Sequence, residues 1–185
     1  MHHTASQTVG PFFLEALIHV GDELVAKPDT AGEAMILEGK VLDAEGTPVN
    51  DAVLEIFQTD ATGQYVADSP EARSGSMFTG FGRATTDSSG TFRFTTIYPG
   101  ATHVAGLKHA PHLDLMVFAR GLLKPLVTRV YFEADANNVH DPVLAQVPAH
   151  RRTTLEAKRD AALGPSAWRY DVRLQGKDET VFFEF

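Results

Sequence analysis

From Met35 onward the chain is a succession of short runs rich in Val, Ile, Phe and Thr: MILEGKVLD, AVLEIFQT, TFRFTTI, LDLMVFA, VTRVYFE, WRYDVRL and TVFFE. Such β-branched and aromatic runs, with their period of two, predict seven or eight strands. The breaks between them, DAEGTPVND, TDATGQY, DSSG and YPGAT, are turn chemistry at the spacing of antiparallel connections. No strand–helix–strand rhythm appears, so the expected fold is all-β, an antiparallel two-sheet β-sandwich. One stretch departs from it. Asp141 followed by Pro142 is a helix-start pair, and RRTTLEAKRD has helical composition, which predicts a short helical insertion over about 141–160.

Residues 1–32 mix turn formers with short apolar pieces and show no sustained period. They read as an extended N-terminal arm that lies on a neighbouring surface. The 185 residues, 43% of them hydrophobic, are enough for a sizeable core within one domain, the arm at 1–32 and the sandwich at 33–185. With 24 acidic against 16 basic residues the net charge is −8, which disfavours a nucleic-acid surface because phosphate binding needs clustered cations. There is no cysteine, so neither a disulfide framework nor a thiolate metal site is available, and a cytoplasmic location is expected. The opening MHHTASQTVG lacks a secretory pattern, and no run reaches the roughly 18 apolar residues of a membrane span.

KHAPHLDL, residues 108–115, carries the first chemistry. As a strand it points His112 and Asp114 to one face and Leu113 and Leu115 to the other. Tyr65, His103 and His109 are further candidates, since a hard ferric ion takes phenolate and carboxylate oxygens and accepts imidazole. The same residues have a plainer reading, in which Tyr65 is a loop tyrosine and His112 and Asp114 form a hydrogen-bonded pair inside a sandwich. Spacing alone leaves both open.

Five stretches, in order, carry a resemblance: SQTVGPFF, LEGKVLDAEGTPVNDAVLEIFQTDATGQY, FGRATTDSSGTFRFTTIYPG, APHLDLMVFARG with VTRVYFEAD, and WRYDVRLQGKDETVFFEF. Together they resemble the intradiol ring-cleavage dioxygenases over nearly the whole length, and within them the alpha chains of the hetero-oligomeric members. There the iron-bearing beta chain holds Fe(III) with two tyrosines and two histidines. The resemblance carries the first tyrosine onto Tyr65 and the second, which follows a Pro-Gly pair, onto Thr102. The two histidines fall on His112 and Asp114, a helper arginine on His109, and a helper glutamine on Arg129. Half of the ligand set is replaced, which implies that Tyr65, Thr102, His109, His112, Asp114 and Arg129 are a vestigial site and that this chain binds no metal. Asp114 then fills the old pocket, where Arg129 is in position to neutralise it.

The resemblance also implies an obligate pairing of alpha and beta chains, with Fe(III) on the partner beta chain and a small aromatic acid and O2 as substrates. In such pairs the alpha arm lines the partner's pocket, through Thr8, Gly10 and Pro11 here, joined by Arg120 of the FARG turn. Glycine permits close backbone approach, proline stiffens, threonine supplies a hydroxyl, and arginine supplies the cation that a carboxylate requires. Phe12 stands where relatives often have tyrosine, so no hydroxyl is available there. Two other readings explain less. A transthyretin-like binding or scaffold sandwich accounts for the middle of the chain and leaves the arm, the FARG turn and the ending aside. A homomeric dioxygenase would use Tyr65, His109, His112 and Asp114 as an altered ligand set. His103, His140 and His150 are expected in surface or packing roles.

Overall fold

Alternation along Ala34–Leu42 (β1) sends Met35, Leu37, Gly39 and Val41 inward and Ile36, Glu38 and Lys40 outward, the period-two pattern of a strand with one face on a core. The computed structural model describes residues 7–10, 12–66 and 77–184. The remaining strands are Val53–Gln58 (β2), Phe81–Thr85 (β3), Thr91–Ile97 (β4), Thr102–Val104 (β5), Leu107–His109 (β6), His112–Phe118 (β7), Leu126–Phe132 (β8), Glu156–Arg159 (β9), Ala167–Arg169 (β10) and Val172–Arg173 (β11).

The mostly-strand expectation holds, with one α-helix among the described residues, Phe12–Leu17 (α1). The pairing differs from a purely antiparallel two-sheet arrangement. A continuous ladder runs β11-β1-β10-β9-β8-β7-β2-β3, with β4 also on β1, and β1–β10, β1–β11 and β8–β9 are parallel. This ladder curls on itself: Leu37 of β1 and Phe92 and Phe94 of β4 share one core with Leu54 and Ile56 of β2 and Leu113 and Leu115 of β7. These side chains are fully buried, so truncating one such as Leu37 to alanine should cost about 2–5 kcal/mol.

The segment expected to be helical over about 141–160 is built from 3-10 turns at Leu144–Gln146 and Ala149–Leu155, and its end is strand β9. Asp141 does start it: its Oδ1 accepts the N–H groups of Val143 and Leu144. The α-helix lies in the arm, where an extended segment was expected. Arg83 of β3 holds its end, pairing with Glu55 through Nε and donating from Nη1 to the Leu17 carbonyl. Beyond it the chain bridges to Thr95 at Leu24 and to Phe78 at Ala26. No helix among the described residues is long and apolar enough to cross a membrane.

Candidate functional site

Antiparallel pairing of β7 with β8 sets His112 opposite Tyr131 and Asp114 opposite Arg129. The Arg129 Nε donates to Asp114 Oδ1 at 2.9 Å, and Nη1 lies 3.3 Å from His109 Nδ1 on β6. Thr102 is directly across the β5–β6 hairpin from His109. Tyr65 reaches the group from the other side. It stacks on Phe57 at 5.0 Å with the rings nearly parallel, and Phe57 is the β2 partner of Asp114. Burial raises the Tyr65 phenol above its ordinary pKa, and the Asp114 carboxylate adds to this while Arg129 opposes it. All six positions of the vestigial site that the resemblance implies thus converge, while His103, across the hairpin from Lys108, stays exposed.

His112 decides what the cluster can hold. Its Nδ1 lies 2.7 Å from the Ala110 carbonyl, which can only accept, so Nδ1 carries the proton and Nε2 presents a lone pair. Burial pushes the imidazole below its ordinary pKa, although the Asp114 carboxylate works in the opposite direction. That Nε2 is buried without a hydrogen-bond partner, 3.9 Å from Asp114 Oδ1. A lone pair and a carboxylate facing one place are suited to a cation. The cation here is the guanidinium of Arg129, fixed by Asp114 and His109. A ferric ion beside Asp114 would meet this positive charge at close range, with the guanidinium mostly shielded from solvent, so the residues present do not fit the metal. Among the described residues no three His, Asp or Glu side chains form a metal-holding group.

Below this cluster lies an acid that sequence reading assigned only to helix initiation. The Asp141 carboxylate is fully buried and accepts from Ala110 N, Tyr131 Oη, Val143 N and Leu144 N, with His109 Nδ1 at 3.6 Å. Burial would raise its pKa, but these donors outweigh burial and hold it below the usual carboxylate range. Its role is to anchor the connection between β6 and β7 at Ala110.

The second group of candidate residues sits at the opposite end of β7. Thr8 Oγ1 accepts the Gly121 N–H at 2.8 Å, tying the arm to the FARG turn across 113 positions. Phe13 reinforces the tie against Phe118, with ring centroids 5.4 Å apart. Thr8, Gly10 and the Arg120 side chain are exposed on this rim, and Arg120 forms an ion pair with Asp51. Among the described residues, a methyl group on Gly10 would meet nothing within 4 Å. Pro11 lies outside the described residues. His103, His140 and His150 are all exposed.

A family model described as Dioxygenase matches residues 9–176. The chain is 44% identical to the protocatechuate 3,4-dioxygenase alpha chain of Burkholderia cepacia, over all of this chain and 98% of that one. It is 32% identical to the beta chain of the same organism's enzyme, over 84% of this chain and 70% of that one. Among solved structures, the dioxygenase domain of a carbohydrate-binding fusion from Streptomyces sp. SirexAA-E superimposes with a TM-score of 0.65 at 24% identity, covering 83% of this chain and 87% of that one.

Proposed function

The chain belongs to this dioxygenase family, and from that premise we propose that it is the alpha subunit of a protocatechuate 3,4-dioxygenase, pairing with an iron-bearing beta chain. The reaction is intradiol, O2-dependent cleavage of protocatechuate to 3-carboxy-cis,cis-muconate, a step of aromatic-compound degradation in the beta-ketoadipate pathway. The ferric ion, on this reading, is the beta chain's, and it supplies Lewis-acid activation of the catechol ring. This chain acts as one domain in the cytoplasm, its curled ladder serving as the intradiol sandwich.

The observation that carries the proposal is the hydrogen bond from Gly121 to Thr8, which gathers Thr8, Gly10 and Arg120 on one exposed rim. Each has a physical task there. Arg120 offers a guanidinium to the carboxylate that distinguishes protocatechuate from catechol, and a guanidinium can take a carboxylate through two parallel N–H bonds. Gly10 leaves room for a neighbour where the described residues of this chain supply none. Thr8 fixes the arm through its hydroxyl oxygen, so that the pocket wall is set before substrate arrives. Covering the ring also excludes water from the reacting centre. No step runs through the Asp114–Arg129 cluster, whose guanidinium supports a structural role.

Oxygen uptake tests this. The chain alone should consume no O2 with protocatechuate, and the chain co-expressed with a beta chain should consume it stoichiometrically with substrate. Equal turnover by a beta chain purified without this subunit would refute the proposal.

A further inference from the structure

The antiparallel ladder between β2 and β7 ends with Val53 opposite Phe118. Continuing that register two residues beyond the ladder brings Asp51 opposite Arg120, and there the Arg120 Nε meets Asp51 Oδ2. The two side chains are unequal. Asp51 is 21% exposed and Arg120 75%, so the carboxylate is the fixed member and the guanidinium is the one presented to solvent. Arg120 has no other ion-pair or hydrogen-bond partner among the described residues. Its backbone is held as well, because the next residue, Gly121, donates to Thr8.

A free arginine on a surface samples many rotamers, and a ligand that captures it must order it at the moment of binding. Here a partly buried carboxylate, placed by strand register, removes that disorder beforehand. We infer that Asp51 is a positioning residue for the carboxylate end of an aromatic acid substrate, holding the Arg120 guanidinium at the pocket rim and thereby setting the preference for the acid over the neutral catechol ring. This rests on the reading of Arg120 as a pocket residue. Asp51 does not touch the substrate itself; it acts through Arg120.

The test uses the co-expressed alpha–beta enzyme, with protocatechuate as substrate and catechol, the same ring without its carboxylate, as competitive inhibitor. Asp51→Ala should raise KM for protocatechuate about three- to fivefold, the range that the coupling of an exposed ion pair supports, with kcat unchanged. The catechol inhibition constant should not move, and Asp51→Asn, which keeps a hydrogen-bond acceptor, should restore KM to near the unsubstituted value. In an Arg120→Ala background Asp51→Ala should add nothing. Should Asp51→Ala fail to assemble, Asp51→Ser keeps a small polar turn residue and carries the same expectations. An unchanged or lowered KM, or equal changes for protocatechuate and catechol, overturns the inference while leaving Arg120 in the pocket. Were Arg120→Ala itself to leave the two ligands' ratio untouched, the pocket reading and this inference would fall together.

Discussion

Arg129 Nε lies 2.9 Å from Asp114 Oδ1, and the two residues face each other directly across β7 and β8. The pair is mostly shielded, with side-chain exposures of 16% for Arg129 and 33% for Asp114. Arg129→Gln strands a carboxylate that solvent only partly reaches. The expected loss is about 1–2 kcal/mol, below that of a fully buried pair because Asp114 keeps some hydration. Urea unfolding should show a lowered midpoint at unchanged slope, and Asp114→Asn/Arg129→Gln should recover most of the loss. A single variant as stable as the unsubstituted chain would show that the pair is incidental.

Gly63 fixes the turn that delivers Tyr65. Its φ is +85°, and a Cβ there would overlap the Ala101 carbonyl oxygen, a backbone atom that cannot swing away. Gly63→Ala should therefore destabilise by roughly 2 kcal/mol or more. Thermal unfolding measures this directly, and a change under half that size would mean that the turn can relax.

The pH dependence of stability follows from Asp141. Its folded-state pKa is held below the ordinary 3.8, so the unfolded chain binds the proton more readily. The stabilisation is fully present above the unfolded value and is lost as pH falls through the folded one. Asp141→Asn should thus be clearly less stable than the unsubstituted chain at pH 7, by about 1–3 kcal/mol, because Oδ1 can still cap Val143 and Leu144 while an amide NH2 in place of Oδ2 leaves the buried Ala110 N–H without its acceptor. The two stability curves should converge below about pH 4. A constant gap down to pH 3 would contradict the assignment.

The arm can be tested apart from the core. Thr8→Val removes the acceptor of the Gly121 N–H at an exposed site, so the isolated chain should unfold at an unchanged midpoint. On the proposed pocket role, the assembled enzyme should show a raised KM for protocatechuate, because the arm is no longer tied to the Arg120 turn. Protease cleavage within residues 7–17 should accelerate in the isolated variant; unchanged cleavage and KM together would mean that the tie is dispensable.

What could be read from the sequence followed the visibility of period two. β1, β2, β4, β7 and β8 carry large apolar side chains on alternate residues and were recognisable. β3 was not, because its inward residues are Gly82 and Ala84. A side chain on Gly82 would collide with Val25 of the arm, so closeness of packing had replaced apolar bulk. RRTTLEAKRD looked helical by composition, yet its second half became β9, since Tyr131 and Phe132 of β8 offered a parallel partner. Local propensity loses to such a partner, and parallel pairing between distant segments leaves no local trace.

The site divides in the same way. Alternation alone put His112 and Asp114 on one face. Arg129 joined them through the resemblance, and strand register then set it directly opposite Asp114, whereas the juxtaposition of Asp51 and Arg120 is visible only as a continuation of the β2–β7 pairing. The Asp51 signal was present at the end of the turn DAEGTPVND but had no meaning until Val53 was matched with Phe118.

Iron content of the purified chain, alone and co-expressed with a beta chain, tests most directly whether this subunit serves ring cleavage with a guanidinium where a metal would otherwise sit. The account predicts no stoichiometric iron in the chain alone and about one iron per alpha–beta pair. Iron approaching one per chain in the isolated subunit would mean that Arg129 yields its place to a metal, and that His112 and Asp114 are ligands after all.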